Sequence, residues 1–298
     1  MNYSWTMGTF DGLHRGHQRL IRELIRQASR SGWESLLFLF YLPPRIFFHA
    51  DSIPQLISLP EERIRLLKDL GVDRVHTIRF GEKLSQMEPE TFFSCYLRNR
   101  FRVQAIVVGR NFAFGKNRRG NPSFLKMLCR KENIRLTLLP LTRRKEQPVS
   151  STHIRRLLLD GRVEEAAGFL DRPYAIQGSV IRGYGWGRQI GVPTANLQVH
   201  PWKILPPGVF VTGIRLGKKT YGGLCHIGSR PTLGKNEPTV EAHLLHFNGS
   251  IYGRSLEVRF LKRLRTEHSF PELSVLKRQI RADIASAARF LDLHPGNR

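Results

Sequence analysis

Two histidines, His14 and His17, stand three residues apart in a glycine-rich segment at positions 8–17. Apolar residues at helical spacing follow, so we expect the segment to join a short strand at residues 2–7 to a helix beginning near residue 18. The first turn of a helix presents unpaired N–H groups and the positive end of the helix dipole, which attract phosphate. Two imidazoles could also bind a metal ion, but no third His or Cys lies nearby in the sequence. The pattern therefore favours a phosphate site.

Two later segments carry groups of the same kind. Residues 107–120 follow an apolar run and form a basic loop punctuated by glycine. Residues 148–155 contain three consecutive hydroxyl side chains at a predicted helix start, with an arginine three residues after the last of them. Hydroxyls and amides at a helix N-terminus, together with a guanidinium group, suit a polyphosphate.

A second glycine-rich segment, residues 183–196, lies in the other half of the chain. Its glycine spacing is that of a dinucleotide-binding loop, but Pro193 and the β-rich sequence around it argue against the helix that such a loop requires. As a flexible loop it could wrap phosphates with backbone N–H groups. A plain glycine-rich hairpin is the alternative interpretation of this segment.

Strands and helices must alternate around the first three segments. The pattern up to about residue 141 indicates βαβ units on a parallel sheet, in which ligands bind outside the carboxyl ends of the strands. A capping box with Ser58 as N-cap starts one of the helices. The later predicted strands are residues 35–42, 72–80, 104–109 and 134–141, and the later predicted helices are residues 58–70, 89–100 and 122–132.

The pattern changes at residue 171, after a short predicted helix at residues 163–170. Short β-rich runs then alternate with Gly and Pro turns, which is typical of an antiparallel barrel or sandwich. The predicted strands are residues 174–182, 208–216, 219–227, 239–247 and 255–261, and an amphipathic helix at residues 274–291 closes the chain. We therefore expect two domains, residues 1–170 and 171–298.

The sequence Gly-Thr-Phe-Asp-Gly-Leu-His-Arg-Gly-His at residues 8–17 resembles the H-x-G-H box of the adenylyl- and cytidylyltransferases. It is most similar to the version in bacterial bifunctional riboflavin kinase/FAD synthetases. Residues 107–120 also resemble that family's V-G-x-[DN]-F-x-F-G-x-x-x-x-G segment, and residues 148–155 resemble its I-S-S-T-x-I-R segment. The resemblance implies that His14 and His17 stabilise charge on the phosphates during adenylylation of FMN. The other residues that it implies for ATP and FMN are Gly8, Phe10, Asp11, Gly12, Gly16, Gly109, Asn111, Arg118, Ser150, Ser151, Thr152 and Arg155. One departure is Pro43, where the family usually has His.

Residues 183–196 resemble the riboflavin kinase signature G-x-x-x-G-R-x-x-G-x-P-T-A-N. The resemblance implies that Thr194 binds Mg²⁺ together with the ATP phosphates and that Glu241 is the catalytic base. His226 departs from the family, which more often has Asn there. The residues implied for ATP and riboflavin are Gly183, Gly187, Arg188, Gly191, Pro193 and Asn196.

The resemblance covers nearly the whole chain, with the motifs in the family's order. It implies an α/β protein in which a Rossmann-like, parallel-sheet nucleotidyltransferase domain precedes an antiparallel β-barrel with a terminal helix. It also implies a two-step transferase that converts riboflavin to FMN and FMN to FAD, with ATP as co-substrate and Mg²⁺ as cofactor. The alternatives are a single-activity nucleotidyltransferase whose barrel only binds substrate, and an RNA-binding protein on an old nucleotidyltransferase scaffold.

Composition bears on partners and location. The net charge of +24 would suit an anionic partner, but the basic residues are spread through the chain, so we expect no specific nucleic acid. The longest apolar run, residues 36–42, is too short to span a bilayer, and the uncharged first residues do not resemble a signal peptide, so we expect a cytoplasmic protein without a membrane partner. Three scattered cysteines argue against a disulfide framework or a structural zinc site. The sequence leaves the oligomeric state open.

Overall fold

The structure, a computed structural model, describes residues 1–48, 53–183, 191–229, 238–268, 270 and 272–294. The chain divides into two compact units, Met1–Ser151 and Thr152–Arg298. No helix in the described part of the chain is long and apolar enough to cross a bilayer.

The first unit is built on a five-stranded parallel sheet with the order β3-β2-β1-β4-β5. Its strands are β1 Tyr3–Gly8, β2 Glu34–Phe40, β3 Arg74–Ile78, β4 Val103–Gly109 and β5 Arg135–Leu139. The strand order reverses at β1, which lies between β2 and β4. The loops that follow β1 and β4 therefore leave the same edge of the sheet side by side, where open α/β sheets bind ligands.

Helices cover this sheet. They are α1 Arg15–Arg30, α2 Pro44–Phe48, α3 Pro60–Asp69, α4 Glu82–Ser85, α5 Pro89–Phe92 and α6 Pro122–Lys131, with a π-helical turn at Phe93–Arg100 and a 3₁₀ turn at Lys116–Arg118. A small hairpin, β6 Arg143–Arg144 with β7 Gln147–Pro148, ends the unit.

Both faces of the parallel sheet are buried. Successive strand residues point to opposite sides of the sheet and so pack into different clusters. On β2, Phe38 packs into a cluster with Trp5 and Phe92, whereas Leu37 and Leu39 pack into another with Ile21 of α1. Burying a side chain of this size contributes about 1.5–3 kcal/mol. The continuous apolar run at β2 thus places β1 and its loop on a rigid support.

The second unit is a closed antiparallel barrel with the strand order β10-β11-β12-β9-β8-β13. Its strands are β8 Tyr174–Ile181, β9 Ala195–Val199, β10 Gly208–Leu216, β11 Lys219–Ser229, β12 Pro238–Leu244 and β13 Ser255–Arg265. The helices are α7 Ser151–Leu159, α8 Val163–Leu170 and the terminal α9 Leu273–Leu293. Phe260 of β13 packs against Tyr174 and Phe210, which lie on the two neighbouring strands β8 and β10.

Helix α9 packs on the barrel through Ala287 and Leu291, which cluster with Val209, Val211 and Leu224. Gly222 lies directly opposite this helix, and a Cβ atom there would lie 2.5 Å from Cδ1 of Leu291, so the leucine side chain would have to move. One side of the barrel is thereby covered by a helix.

The predicted fold class is confirmed in both halves, and closure of the second sheet decides for a barrel rather than a sandwich. Strand β9 was not predicted, because it is short and follows the glycine-rich segment directly. The compact units divide earlier than residue 171, because α8 packs against β8 and β13. Ser58 was wrongly predicted as an N-cap. Leu59 occupies that position, and its N–H donates to Glu62 Oε2 at 2.9 Å.

Candidate active sites

The loop between β1 and α1 has a strained backbone. Phe10 and Leu13 are buried non-glycine residues with positive φ angles of 51° and 43°, and Gly12 between them has φ 79°. Such conformations are sparsely populated and cluster at functional sites. Glycine is needed at residue 12 for space as well, because a Cβ atom there would lie 2.9 Å from Cγ2 of Ile57.

His14 and His17 form a stacked pair at the start of α1. His14 is the N-cap, and its Nδ1 accepts a hydrogen bond from the backbone N–H of His17 at 3.2 Å. The two rings lie 3.6 Å apart between centroids, with 15° between their planes. A Cβ atom at Gly16 would lie 3.2 Å from the His14 ring, so glycine leaves room for the pair. The structure thus brings the predicted histidines together at a helix N-terminus.

Electrostatics keep His17 neutral. Burial lowers its pKa well below 6.5, and the nearby His14 and the Arg63 guanidinium lower this pKa further. Its Nδ1 atom is buried without a hydrogen-bond partner among the described residues. Its ring packs edge-on against Phe10 at 5.1 Å. A bound phosphate would favour a protonated ring, so the charge of His17 should depend on ligand.

Asp11 is buried and organises the loop. Its carboxylate accepts hydrogen bonds from the backbone N–H groups of Ser58 at 2.9 Å and Ile57 at 3.3 Å. The Ser58 hydroxyl accepts a bond from the N–H of Gly12 at 2.7 Å, which is why this serine does not cap α3. Direct binding of ATP or FMN by Asp11 stays a prediction.

Arg63 on α3 is a functional candidate that the sequence analysis missed. It is fully buried, and its guanidinium donates to the carbonyl groups of Thr9 at 2.7 Å, Phe40 at 3.0 Å and Tyr41 at 2.6 Å. It therefore ties the carboxyl ends of β1 and β2 together. A lone arginine on an amphipathic helix gives no sequence signal of this, since its partners are backbone atoms.

The remaining residues predicted for this site lie on two other segments. Asn111 follows β4 and is exposed. Its Oδ1 atom lies close to Gly109, where a Cβ atom would be 2.8 Å from that oxygen. Arg118 is exposed, with φ 58°. The Ser151 hydroxyl at the start of α7 donates to the carbonyl of Asp11 at 2.8 Å, so the hydroxyl run meets the loop after β1. Thr152 and Arg155 follow on α7 within the second unit, and their part in this site stays a prediction.

In the barrel, Glu241 lies between Asn196 and His226 in adjacent strands. It pairs with Asn196 of β9 on one side and with His226 of β11 on the other. The side chains of β12 alternate, so Glu241 and His243 share one face while Val240 and Ala242 are buried on the other. The polar face of this strand is therefore a candidate site.

That face opens into a pocket of about 270 Å³ that contains both Glu241 and Thr194. Its other lining residues are Val192, Val209, Leu224, His226, His243, Arg265, His268, Phe270, Leu276, Ile280 and Asp283. Most of the wall is apolar, with a few polar groups, as in sites that bind an organic ligand.

Two family models match the chain: one described as FAD synthetase matches residues 2–153, and one described as riboflavin kinase matches residues 170–291. The chain belongs to the bifunctional riboflavin kinase/FMN adenylyltransferase family. Both activities are transferase reactions, and the predicted family and pair of activities are confirmed.

Curated relatives agree over nearly their full lengths. A bifunctional riboflavin kinase/FMN adenylyltransferase of Escherichia coli is 34% identical over 97% of this chain and 92% of its own. The protein of the same name from Bacillus subtilis is 31% identical over 95% and 91%. A solved structure described as a macrolide-efflux protein from Streptococcus pneumoniae is 29% identical and superposes with a TM-score of 0.89, over 96% of this chain and 94% of that chain. The fold is thus shared across both units.

The structure describes part of the predicted kinase motif at residues 183–196. Asn196 lies against Gly183, where a Cβ atom would overlap the Asn196 amide. Gly191 has φ 82°, and the carbonyl of Pro193 accepts a hydrogen bond from His243. Gly187 and Arg188 lie outside the described residues. The structure therefore brings together Gly183, Pro193, Thr194, Asn196 and Glu241, and their roles toward ATP, riboflavin and Mg²⁺ stay predictions.

Most of the polar side chains of the pocket were not predicted from the sequence. His243 was detectable, because it lies two residues from Glu241 on an alternating strand. Arg265 and Asp283 were not, because their ion pair, at 3.0 Å, joins β13 to α9. Gln279 also donates to Asp283, at 2.8 Å.

Oxygen donors for a hard cation are present, although no cluster of three or more His, Cys, Asp or Glu suited to a metal occurs among the described residues. The Thr194 hydroxyl and the Glu241 carboxylate line one pocket. Mg²⁺ commonly uses one or two protein oxygens and completes its shell with water and substrate phosphates. The residues of this pocket fit Mg²⁺ that arrives with ATP.

Proposed function

We propose that the barrel phosphorylates riboflavin to FMN and that the parallel-sheet unit adenylylates FMN to FAD, each step consuming one ATP. The observation that carries the proposal is that the chain holds two sites of different chemistry. One offers a carboxylate and a hydroxyl in a pocket, Glu241 and Thr194. The other offers a helix N-terminus capped by stacked imidazoles, His14 and His17.

In the kinase step, Glu241 takes the proton from the 5′-hydroxyl of riboflavin as that oxygen attacks the γ-phosphorus of ATP. The new O–P bond forms as the bond to the bridging oxygen breaks, and ADP leaves. Thr194, with Glu241 nearby, would hold Mg²⁺, which neutralises charge on the phosphates when bound. Asn196 pairs with Glu241 between neighbouring strands, and its amide lies against Gly183.

In the adenylyl transfer, a phosphate oxygen of FMN attacks the α-phosphorus of ATP, and pyrophosphate leaves. No protein nucleophile is required. His14 and His17 stabilise the charge that develops on the phosphates, with help from the N-terminus of α1. Ser150, Ser151, Thr152 and Arg155 hold the triphosphate in this proposal.

An aromatic platform beside β2 and β3 suits the flavin ring in this step. Phe47 and Phe48 on α2 are 43% and 63% exposed and pack edge-on against Phe80, which follows β3 and also contacts Phe40. Exposed aromatic rings at the ligand-binding edge of a sheet offer faces on which a planar ring can stack.

Replacing Phe48 by Ala should therefore raise the KM for FMN about tenfold in adenylylation and leave phosphorylation of riboflavin unchanged. Met127→Ala is the matched control, since Met127 is 54% exposed on α6 of the same unit. Steady-state kinetics of both reactions would check this. An unchanged KM for FMN would exclude the platform.

The proposal includes Mg²⁺ dependence of both steps, a cytoplasmic location, and no specific nucleic-acid or membrane partner. EDTA should stop both reactions, and added Mg²⁺ should restore them. Cell fractionation should place the protein in the cytoplasmic fraction.

The direct test is chromatography of flavins after the purified protein is incubated with riboflavin, ATP and Mg²⁺. We expect FMN to appear first and FAD to follow. A single-activity nucleotidyltransferase or an RNA-binding protein on this scaffold would form no FMN from riboflavin, and that result would refute the proposal.

A further inference from the structure

The segment that carries Thr194 meets the barrel where strand pairing stops. Strand β9 pairs with β12 at Asn196–Glu241 and Ala195–Ala242. Continuing this antiparallel register would set Thr194 opposite His243, but β9 begins only at Ala195. Pro193 has no N–H group and cannot donate to a ladder. Thr194 therefore lies just beyond the part of the segment that the sheet holds.

Beyond the end of the β9–β12 pairing, a side chain of β12 holds the segment by a hydrogen bond. The Nδ1 atom of His243 lies 2.8 Å from the carbonyl oxygen of Pro193. A carbonyl oxygen only accepts, so Nδ1 must carry the proton and donate. His243 stands on β12 two residues from Glu241 and lines the same pocket. One face of β12 thus holds both the carboxylate and the anchor of the opposite segment.

Thr194 is consequently held from both sides. Ala195 is held by its pairing with Ala242, and Pro193 is held by the hydrogen bond from His243. A hydroxyl ligand works only if its position is fixed before the ligand arrives, because otherwise binding must also order the chain. Histidine suits the position, because Nδ1 donates both in the neutral tautomer that carries its proton on Nδ1 and in the protonated ring.

We propose that His243 is a positioning residue of the kinase site, which fixes Pro193 and thereby sets Thr194 for the magnesium–ATP complex. This inference rests on the proposed kinase function of the barrel. It assigns His243 no contact with the reacting atoms, so its loss should weaken binding of magnesium–ATP more than it slows the chemical step.

Three variants of His243 separate positioning from other roles. His243→Asn keeps an N–H donor near the place of Nδ1, whereas His243→Gln moves the donor to about the place of Nε2, and His243→Ala removes it. His200→Ala is the matched control: Nδ1 of His200 bonds the N–H of Trp202 in a turn of the same unit, outside the pocket.

The first readout is kinase kinetics at varied magnesium–ATP. The Ala and Gln variants should raise the KM for magnesium–ATP about fivefold while kcat stays within about twofold. The Asn variant and His200→Ala should keep wild-type values. Thermal unfolding of each variant, followed by circular dichroism, reports that the barrel has folded.

The second readout is hydrogen exchange without ATP or riboflavin. A peptide covering residues 191–199 should exchange about fivefold faster in the Ala and Gln variants than in the wild type and the Asn variant. Equal exchange and equal KM in the Asn and Gln variants, or wild-type behaviour of the Ala variant, would overturn the inference. Failure of the wild-type protein to make FMN would instead refute the proposed function. The exchange experiment would still test whether His243 holds the segment at Pro193.

Discussion

At the residue scale, His17 shows how a fold changes the chemistry of a side chain. Burial, His14 and Arg63 all lower the pKa of this imidazole. The ring is therefore neutral at pH 7 before ligand binds, and stacking against His14 at 3.6 Å does not bring two positive charges together. An arriving phosphate supplies the negative charge that makes protonation favourable.

The lowered pKa predicts how stability depends on pH. In the unfolded chain a histidine takes up a proton near pH 6.5, whereas folded His17 does so only at lower pH. Below pH 6.5 the unfolded state therefore binds more protons than the folded state. As the pH is lowered, the free energy of unfolding decreases by up to about 1.4 kcal/mol per pH unit from this group.

Urea unfolding at pH 7.5 and pH 5.5 tests this prediction in the wild type and in His17→Asn. The pKa of His76 is also lowered, by burial and by Arg100, but that contribution is common to both proteins and cancels in the comparison. The variant should lose less stability on acidification. An equal loss in both proteins would contradict the electrostatic account of His17.

Gly16 makes a second prediction at this scale. Alanine favours a helix by about 0.5–1 kcal/mol over glycine, and this gain should offset crowding at the His14 ring, so Gly16→Ala should hardly change the free energy of unfolding. Its Cβ atom would, however, lie 3.2 Å from Cε1 and Nδ1 of His14 and displace the ring. Adenylylation should fall by at least about tenfold while the kinase reaction is kept.

Gly81→Ala is the matched control for Gly16, because Gly81 has an extended backbone and no atom within 4 Å of a Cβ at that position. Assays of both reactions and thermal unfolding of each variant would check the pair. Normal adenylylation by Gly16→Ala would show that the spacing of the histidine pair does not matter.

At the element scale, an ion pair whose carboxylate is buried joins the terminal helix to the barrel. Arg265 of β13 contacts Asp283 of α9 at 3.0 Å, and Asp283 is only 6% exposed. The two residues also line the pocket of Glu241. The helix therefore serves stability and pocket shape together.

Asp283→Ala should lower the free energy of unfolding by about 3 kcal/mol, because it leaves the Arg265 charge without its partner. The double variant Arg265→Met with Asp283→Leu should recover much of this loss, since apolar residues of similar size often replace such pairs well. Glu165→Ala, which removes an exposed partner of Arg162 in α8, should change stability little. Chemical unfolding of the four proteins would decide, and equal effects of Asp283→Ala and Glu165→Ala would contradict the account.

Elements were more predictable from the sequence than the contacts between them. Strand β10 and helix α8 have the predicted bounds, because apolar periodicity and Gly or Pro turns are local signals. Several contacts at the sites join distant parts of the chain. They are the pairing of Glu241 with Asn196, the hydrogen bond from Gly12 to Ser58, and the hydrogen bonds from Arg63 to three carbonyl groups. Such contacts leave no periodic trace, so the family motifs predicted which residues matter without giving their geometry.

At the scale of the whole molecule, the two proposed reactions use separate sets of functional groups. His14 and His17 belong to the first unit, and Thr194 and Glu241 to the second. The proposed mechanism assigns no residue to both reactions. The two activities should therefore be separable by single substitutions in the intact chain.

The most direct test is to assay Glu241→Gln and His17→Ala for each reaction alone, with folding of both variants verified by circular dichroism. We predict that Glu241→Gln forms no FMN from riboflavin yet converts supplied FMN to FAD. We predict that His17→Ala forms FMN normally and makes no FAD. Loss of both activities in either folded variant would contradict the division of labour between the two sites.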